Sequence, residues 1–108
     1  MTTTAQKQMW TGKSRKTYEY TVYGLTTESW NDVPGNYIFA KKLTGGWNAV
    51  YIGETESFKD RIPNHEKWEC AKRNGATHIH AHNNNNETAR TAEETDLRHA
   101  FNPPCNLQ

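Results

Sequence analysis

The sequence is poor in apolar residues, which make up 33% of its 108 positions, and it contains no apolar run long enough to cross a membrane. Its first residues, MTTTAQKQMW, lack the apolar core of a secretory signal. These absences favour a cytoplasmic protein of one domain without a membrane partner. Four Trp, five Tyr and three Phe partly compensate for the small core, because each aromatic side chain buries a large apolar area.

Net charge and cysteine are also in short supply. The net charge of +1 excludes a bulk electrostatic argument for nucleic-acid binding. Cys70 and Cys105, the two cysteines, lie far apart and fit no Cys-x-x-Cys pattern. We therefore expect two free thiols in a reducing compartment.

The basic residues that are present cluster at the start of the chain. Residues 1–17 carry four Lys or Arg and no acidic residue. We predict a flexible basic arm over 1–16 that tracks a phosphate backbone through Lys13, Arg15 and Lys16, followed by a single domain over 17–108. A solvated terminus without a partner is the alternative.

Residue patterning predicts an α+β domain in which helices cover a small sheet. Alternation of aromatic and β-branched residues indicates strands, and clusters of Gly, Pro, Asn and Ser indicate the turns between them. The predicted elements are, in chain order, a strand over 17–25, a hairpin over 36–53, helical segments over 57–75 interrupted at Pro63, a strand over 76–82 and a helix over 87–101.

Four residues in the middle of the chain have side chains suited to phosphate chemistry. Tyr37 and Tyr51 lie on the two strands of the predicted hairpin, so they share a face if the register allows. Arg61 carries a permanent charge in a fork that fits phosphate. His65, four residues later and on the same helical face if Pro63 only kinks the helix, can transfer protons near neutral pH.

Two further candidates lie towards the end of the chain. Glu94 projects from the predicted helix 87–101 and suits Mg²⁺, which often takes a single carboxylate and keeps most of its waters. Asn106 follows the Pro103-Pro104 break. Each candidate alone has an ordinary structural explanation, as a core tyrosine, a surface charge or a capping amide. Taken together, their order favours attack of water on a phosphodiester, with charge stabilised by Arg61 and a metal, and a phenol or imidazole as proton acceptor.

This order resembles the GIY-YIG nuclease family. The sequence GNY at 35–37 stands where the family has Gly-Ile-Tyr, and YIG is intact at 51–53. Arg61 and His65 match the family in their spacing after the second tyrosine. The ending of the family, Glu-x-x-Leu then Pro-x-x-Asn, is matched by Glu94, Leu97, Pro103 and Asn106, whereas Glu93 misses that register.

The resemblance implies a three-stranded antiparallel sheet flanked by helices, to which the strand over 17–25 adds an extra N-terminal strand. It also implies an endonuclease that hydrolyses DNA with one Mg²⁺ or Mn²⁺ ion, with Glu94 as the metal ligand and Asn106 positioning the strand end or Glu94. A tyrosine is the usual general base in such sites, and both Tyr37 and Tyr51 remain candidates. His65 would relay a proton or orient the water.

Two positions depart from the family pattern. Asn36 replaces the aliphatic residue of the first motif, which we interpret as a packing change. Glu54 follows YIG, and a carboxylate beside a phosphate site is unfavourable unless it points away or joins the metal.

Some features are not explained by the resemblance. His78, His80 and His82 alternate and so share one face of a strand, but side chains spaced in this way diverge too far to favour a single zinc ion. A polar sheet face is the preferred interpretation, with substrate contact as the alternative. Trp47, predicted in a hairpin loop, is a candidate for stacking on bases. The low net charge favours single-stranded or structured DNA over a long duplex.

Two other functions remain open. The chain could be a non-catalytic nucleic-acid-binding module that keeps the nuclease fold, although such a module would be expected to lose Glu94 or Arg61, and both are present. It could instead be a subunit whose partner supplies recognition. We expect the enzyme, acting as a monomer. The sequence leaves the target sequence, the choice of DNA or RNA, and the biological role undetermined.

Overall fold

A computed structural model describes residues 5–107, and the chain forms five strands and three α-helices over that range. The elements are β1 (Lys7–Thr11), β2 (Thr17–Gly24), β3 (Gly35–Leu43), β4 (Gly46–Thr55), α1 (Phe58–Arg61), α2 (Trp68–Arg73), β5 (His78–Asn83), α3 (Glu87–Phe101) and a short 3-10 helix (Pro104–Asn106). None of these helices is long and apolar enough to span a membrane.

All five strands belong to one antiparallel sheet in the order β1-β2-β5-β3-β4. The α+β class is confirmed. The prediction of three strands plus one extra N-terminal strand is one strand short, because β1 also joins the sheet. Strands β3, β4 and β5 form the three-stranded part, and β5 also pairs with β2, which in turn pairs with β1. The N-terminal residues therefore extend the sheet, and β1 and β4 are its two edges.

Residues 7–16, predicted to lie in a flexible arm, are instead folded onto the sheet, while residues 1–4 lie outside the described part of the chain. Strand β1 pairs with β2 along its whole length, and Trp10 is only 4% exposed. The indole Nε1 of Trp10 donates a hydrogen bond to Nδ1 of His80 at 2.9 Å. In the turn that follows β1, the backbone N–H and hydroxyl of Ser14 both donate to the carboxylate of Asp96. Lys13, Arg15 and Lys16 thus belong to an ordered turn, and Lys7 lies on β1.

The sheet buries apolar side chains on both faces. On the face covered by α3, Trp10, Tyr20, Ile38, Ile52 and Leu97 form one core cluster. On the opposite face, which α1 and α2 cover, a second cluster contains Tyr37, Phe39, Val50, Phe58 and Ile62. We call these the α3 face and the α1–α2 face. Because side chains alternate along a strand, β3 and β4 contribute to both cores.

Helix α3 spans Glu87–Phe101, as predicted, and begins at an Asn86 cap whose Oδ1 accepts the backbone N–H of Ala89 at 2.8 Å. Its buried Glu93 accepts hydrogen bonds from Tyr20 and His82, both at 2.5 Å. These contacts join α3 to β2 and β5. They fix its rotation, since an unpaired buried carboxylate would cost several kcal/mol, on the order of 3 to 5.

The three alternating histidines share the α3 face, but each has a different partner. His78 contacts the hydroxyl of Thr77, His80 accepts from Trp10, and His82 contacts Glu93. His80 is fully buried, and its burial lowers its pKa to about 4, so it is neutral at neutral pH. The three histidines therefore take part in three separate contacts within the fold.

Cys70 and Cys105 form a disulfide, with their Cα atoms 5.9 Å apart, so the expectation of two free thiols is wrong. The bond links α2 to the short 3-10 helix at the end of the described chain. The 35-residue separation gave no sign of this pairing, because only the packing of the C-terminal segment against α2 brings the two sulfur atoms together.

Removing the disulfide should destabilise the fold. We expect the double variant Cys70→Ser, Cys105→Ser to lose about 2 to 4 kcal/mol of unfolding free energy in urea titrations, because the cross-link restricts the unfolded chain. Dithiothreitol should lower the stability of the wild type and leave that of the variant unchanged. Alkylation of both thiols in the denatured, unreduced wild type would contradict the bond.

Candidate active site

Tyr37 and Tyr51 lie side by side on the α1–α2 face of the β3–β4 hairpin. Tyr51 pairs with Phe39, and Tyr37 pairs with Gly53, so the two phenols are diagonal neighbours. Their ring centroids are 6.1 Å apart. The expectation that both tyrosines share one face is confirmed by this register.

Gly53 makes room for both rings. A Cβ atom at this position would lie 2.6 Å from the hydroxyl oxygen of Tyr37 and 2.9 Å from Cε2 of Tyr51. Both distances are shorter than van der Waals contact allows. The glycine of YIG is therefore required by the close approach of the two phenols.

Arg61 reaches these phenols from the end of α1. The hydroxyl of Ser57 caps this four-residue helix by accepting the backbone N–H of Asp60 at 3.3 Å. Burial raises the pKa of Tyr37 and Tyr51, and the guanidinium lies close enough to both phenols to oppose that rise. It also donates to both carboxylate oxygens of Glu66, with Nη2 to Oε1 at 2.8 Å. The hydrogen bonds from Arg61 hold the pKa of Glu66 at about 2.

His65 lies in the segment between α1 and α2, so it does not share a helix with Arg61 as the sequence suggested. Its ring is buried, and burial followed by the charge of Arg61 lowers its pKa to about 4. The ring is therefore neutral at neutral pH. The backbone N–H of Lys67 donates to Nδ1 at 3.0 Å, which places the proton on Nε2. Nε2 then donates to the phenol oxygen of Tyr37 at 2.6 Å.

The two phenols differ in their access to solvent. Tyr37 is fully buried, whereas Tyr51 is half-buried. Burial is the main cause that raises the pKa of each phenol, and Arg61 acts in the opposite direction on both. A water molecule outside the fold could therefore approach Tyr51 more readily than Tyr37.

Glu94 and Asn106 meet the sheet at the free edge of β4. Asn106 accepts the backbone N–H of Ile52 at 2.8 Å and donates to the backbone carbonyl of the same residue at 2.9 Å. Two residues further along β4, the backbone of Glu54 lies near the carboxylate of Glu94 and partly opposes the rise in its pKa that burial causes. Glu94 is also close enough to Tyr51 to raise the pKa of the phenol. Glu94 and Asn106 thus both lie beside the edge strand that carries Tyr51.

The carboxylate of Glu54, one of the two departures from the family pattern, points to a partner within the fold. Nε of the buried Arg90 lies 2.9 Å from Oε1 of Glu54. Arg90 also donates to the backbone carbonyl of Asn84 at 3.2 Å. The charge of Glu54 is therefore balanced by Arg90 on α3.

The carboxylate of Glu94 at the edge of β4 suits a divalent cation that is bound by a single protein ligand. Burial raises the pKa of Glu94, which a nearby cation would lower. Within residues 5–107 no group of three or more His, Cys, Asp or Glu side chains is arranged to hold a metal. A site with one carboxylate and several water ligands is typical of Mg²⁺.

The residues predicted to contact nucleic acid lie elsewhere. Lys13, Arg15 and Lys16 form the exposed β1–β2 turn, at the opposite edge of the sheet from β4. Trp47 is half-buried, with its ring centroid 4.4 Å from that of His80 and with Nζ of Lys42 4.6 Å from the indole centroid. Their binding role stays a prediction.

Sequence reasoning missed two residues that shape the site, Glu66 and Arg90, and it interpreted a third, Asn36, only as a packing change. Asn36 is fully buried, donates to the backbone carbonyl of Arg90 at 3.0 Å and accepts from Asn84 at 3.3 Å. It is thus a polar link between β3 and α3, more than a packing change. An asparagine inside an apolar strand was the available signal, because a buried amide needs partners.

Two solved structures resemble this chain in fold. Both are of the GIY-YIG N-terminal endonuclease domain of UvrC from Thermotoga maritima, each a tyrosine-to-phenylalanine point mutant bound to the catalytic divalent cation. They are 22% and 21% identical in sequence, cover 75% of this chain and 90% of their own chains, and have TM-scores of 0.59. No family model and no curated protein matches the sequence. The chain therefore has the GIY-YIG endonuclease fold, and the resemblance seen in the sequence is confirmed at that level.

Adding a methyl group at Gly53 should disturb the hairpin. We expect Gly53→Ala to lower the free energy of unfolding by about 1 to 3 kcal/mol, because the new Cβ overlaps the two phenols. Gly45→Ala, at the tip of the same hairpin with no atom within 4 Å of its added Cβ, is the matched control. Equal stability of the two variants in urea would show that the phenols are not packed as described.

Proposed function

We propose that this chain is a metal-dependent endonuclease that hydrolyses DNA phosphodiester bonds. The observation that carries the proposal is the convergence of two phenols, a guanidinium and a carboxylate at one strand edge. Tyr37, Tyr51 and Arg61 lie together on the α1–α2 face, and Glu94, on α3, lies near the edge strand β4 and adds to the rise in the pKa of Tyr51 that burial causes. The fold shared with a cation-bound endonuclease domain supports the same reaction class.

Arg61 would hold the scissile phosphate. Its guanidinium now binds Glu66, whose side chain is 60% exposed. A phosphodiester offers two oxygens in a geometry similar to that of a carboxylate. Because a solvent-exposed ion pair contributes at most about 1 kcal/mol, substrate could take the place of Glu66 at modest cost.

Tyr51 is the better candidate for the general base. Its phenol is half-buried and can contact a water molecule. Tyr37 is buried, and its oxygen accepts a hydrogen bond from Nε2 of His65. In that tautomer Nε2 of His65 has no lone pair with which to take a proton. We therefore assign His65 the role of positioning Tyr37, in place of a proton relay.

Glu94 would bind Mg²⁺ or Mn²⁺, with water as the other ligands, and the bound ion would supply positive charge near the phosphate. Asn106 would keep β4 in place, because its amide occupies both outward backbone groups of Ile52. The exposed turn with Lys13, Arg15 and Lys16 could contact DNA away from the cut. A cytoplasmic location and a monomeric state are part of the same proposal.

Cleavage should depend on Glu94. We expect the wild type to cut labelled random-sequence DNA with Mg²⁺ or Mn²⁺ but not with EDTA, and Glu94→Gln to be slower by more than about 100-fold because the metal ligand is lost. Glu87→Gln, an exposed change on the same helix, should cut like the wild type. Retained binding without cleavage by the wild type would favour a non-catalytic module or a missing partner. Full activity of Glu94→Gln would exclude that residue as the metal ligand.

The two tyrosines should differ when each loses its hydroxyl. Tyr51→Phe should reduce the cleavage rate by about 100-fold or more and leave stability nearly unchanged. Tyr37→Phe should lower the free energy of unfolding by about 1 to 3 kcal/mol, because it leaves the buried N–H of His65 without an acceptor.

The pH dependence of cleavage provides a second measurement. The acting form of Tyr51 is the phenolate and burial raises its pKa, so the wild-type rate should increase from neutral to alkaline pH. Tyr51→Phe should lose that increase. A Tyr37→Phe variant that is stable but inactive, beside an active Tyr51→Phe, would reverse the assignment.

A further inference from the structure

A polar cleft of about 510 Å³ lies on the α1–α2 face of the sheet, towards the β1–β2 edge. Its floor is the exposed face of β2, where Glu19, Thr21 and Tyr23 point away from α3, together with the end of β5. Its wall is the segment that connects β2 to β3, with Trp30 and Asn31, and the side chain of Phe58.

Two aromatic rings of the cleft are fixed within the protein. Tyr23 is 38% exposed, and its ring centroid lies 5.1 Å from that of Trp30, with the planes at 65°. The indole N–H of Trp30 already donates to the backbone carbonyl of Thr27 at 3.1 Å. The rings therefore offer an ordered apolar surface, and a stacked base gains about 1 to 3 kcal/mol on such a surface.

The polar groups of the cleft suit a base better than a phosphate. Lys7 donates to the hydroxyl of Thr21 at 2.7 Å and lies in the same cleft as Glu19, so one positive and one negative charge face the space. Asn31 and Asn83 add amide groups at the rim. A phosphate site would need an excess of positive charge, whereas the edge of a base presents both donors and acceptors.

The cleft lies on the same face of the sheet as Tyr37 and Tyr51 and is separated from them by the buried ring of Phe58. The centroid of that ring lies 6.0 Å from that of Trp30 and 6.5 Å from that of Tyr37. We propose that this cleft binds an unpaired base of the DNA strand that the active site cuts. The inference rests on the proposed function, and it gives a physical basis for a preference for single-stranded or unpaired DNA.

Binding measured without metal separates this cleft from catalysis. With EDTA present, we expect Tyr23→Ala to weaken binding of a short fluorescent single-stranded oligonucleotide by about tenfold in anisotropy titrations. Affinity for a fully paired hairpin should stay the same. Phe101→Ala is the matched control, because Phe101 is an aromatic residue of similar exposure, 40%, on the α3 side of the sheet.

A second variant tests the polar edge and does not alter the aromatic packing. The carboxylate of Glu19 can accept a hydrogen bond from the exocyclic amino group of cytosine, a group that thymine lacks. Oligo(dC) should therefore bind more tightly than oligo(dT), and Glu19→Ala should bring the two affinities together. Circular dichroism of both cleft variants would establish that they are folded.

The outcomes distinguish failure of the base-binding cleft from failure of the proposed nuclease function. A wild type that cuts DNA, beside unchanged affinity in Tyr23→Ala and an unchanged base preference in Glu19→Ala, would overturn the cleft and leave the nuclease. Loss of single-strand binding in Tyr23→Ala by a chain that cuts nothing would support the cleft and overturn the nuclease. Absence of single-strand binding by the wild type would overturn the cleft.

Discussion

The free edge of β4 is the constraint on which the rest of the site depends. An edge strand leaves a row of backbone N–H and C=O groups without strand partners, and proteins must cover or satisfy them. Here Asn106 satisfies both outward groups of Ile52, and Glu94 lies near the backbone of Glu54. The same contacts thereby set the position of the candidate metal ligand beside the strand that carries Tyr51. Sheet termination and the geometry of the candidate site are one arrangement.

That arrangement needs α3 and the C-terminal segment to be held in register. Glu93 joins α3 to Tyr20 and His82, and Asn36 binds the backbone of the same helix from β3. The Cys70–Cys105 bond anchors the residue immediately before Asn106 to α2. Each contact lies outside the list of candidate catalytic residues, yet a small rotation of α3 would carry Glu94 away from the edge, since neighbouring helix positions point 100° apart.

Charges in the site are paired in two different ways. Arg90 is buried against Glu54, and a pair that is inside the fold is costly to separate because one charge would remain uncompensated. Arg61 is paired with Glu66 at the surface, where solvent makes exchange inexpensive. The carboxylate after YIG is thus balanced by a buried partner, while the guanidinium near the phenols is paired only with an exposed carboxylate.

Local patterns predicted the elements well, and long-range contacts accounted for the errors. The bounds of α3 and its Asn86 cap follow from local chemistry, and so does the shared face of Tyr37 and Tyr51. The N-terminal arm was misjudged because the basic charge of its turn outweighed the alternation of KQMWT, in which Trp10 is the inward residue. Pairings such as Cys70 with Cys105, or Arg90 with Glu54, depend on packing between distant segments, which spacing alone does not encode.

The position of Tyr51 also depends on an irregularity that no motif contains. The register of β3 with β4 shifts after Phe39, which pairs with Tyr51, while Ala40 pairs with Ala49. Val50 is therefore the extra residue of a β-bulge, and both Val50 and Tyr51 contribute to the α1–α2 face. Ala49 and Trp47 consequently pack on the α3 face. Without the bulge, the side chains of either the hairpin tip or the YIG segment would lie on the opposite face of the sheet, because a shift of one residue moves every side chain to the other face. The bulge allows one strand to fill the core beneath α3 at its start and to present Tyr51, the candidate general base, on the other face near its end.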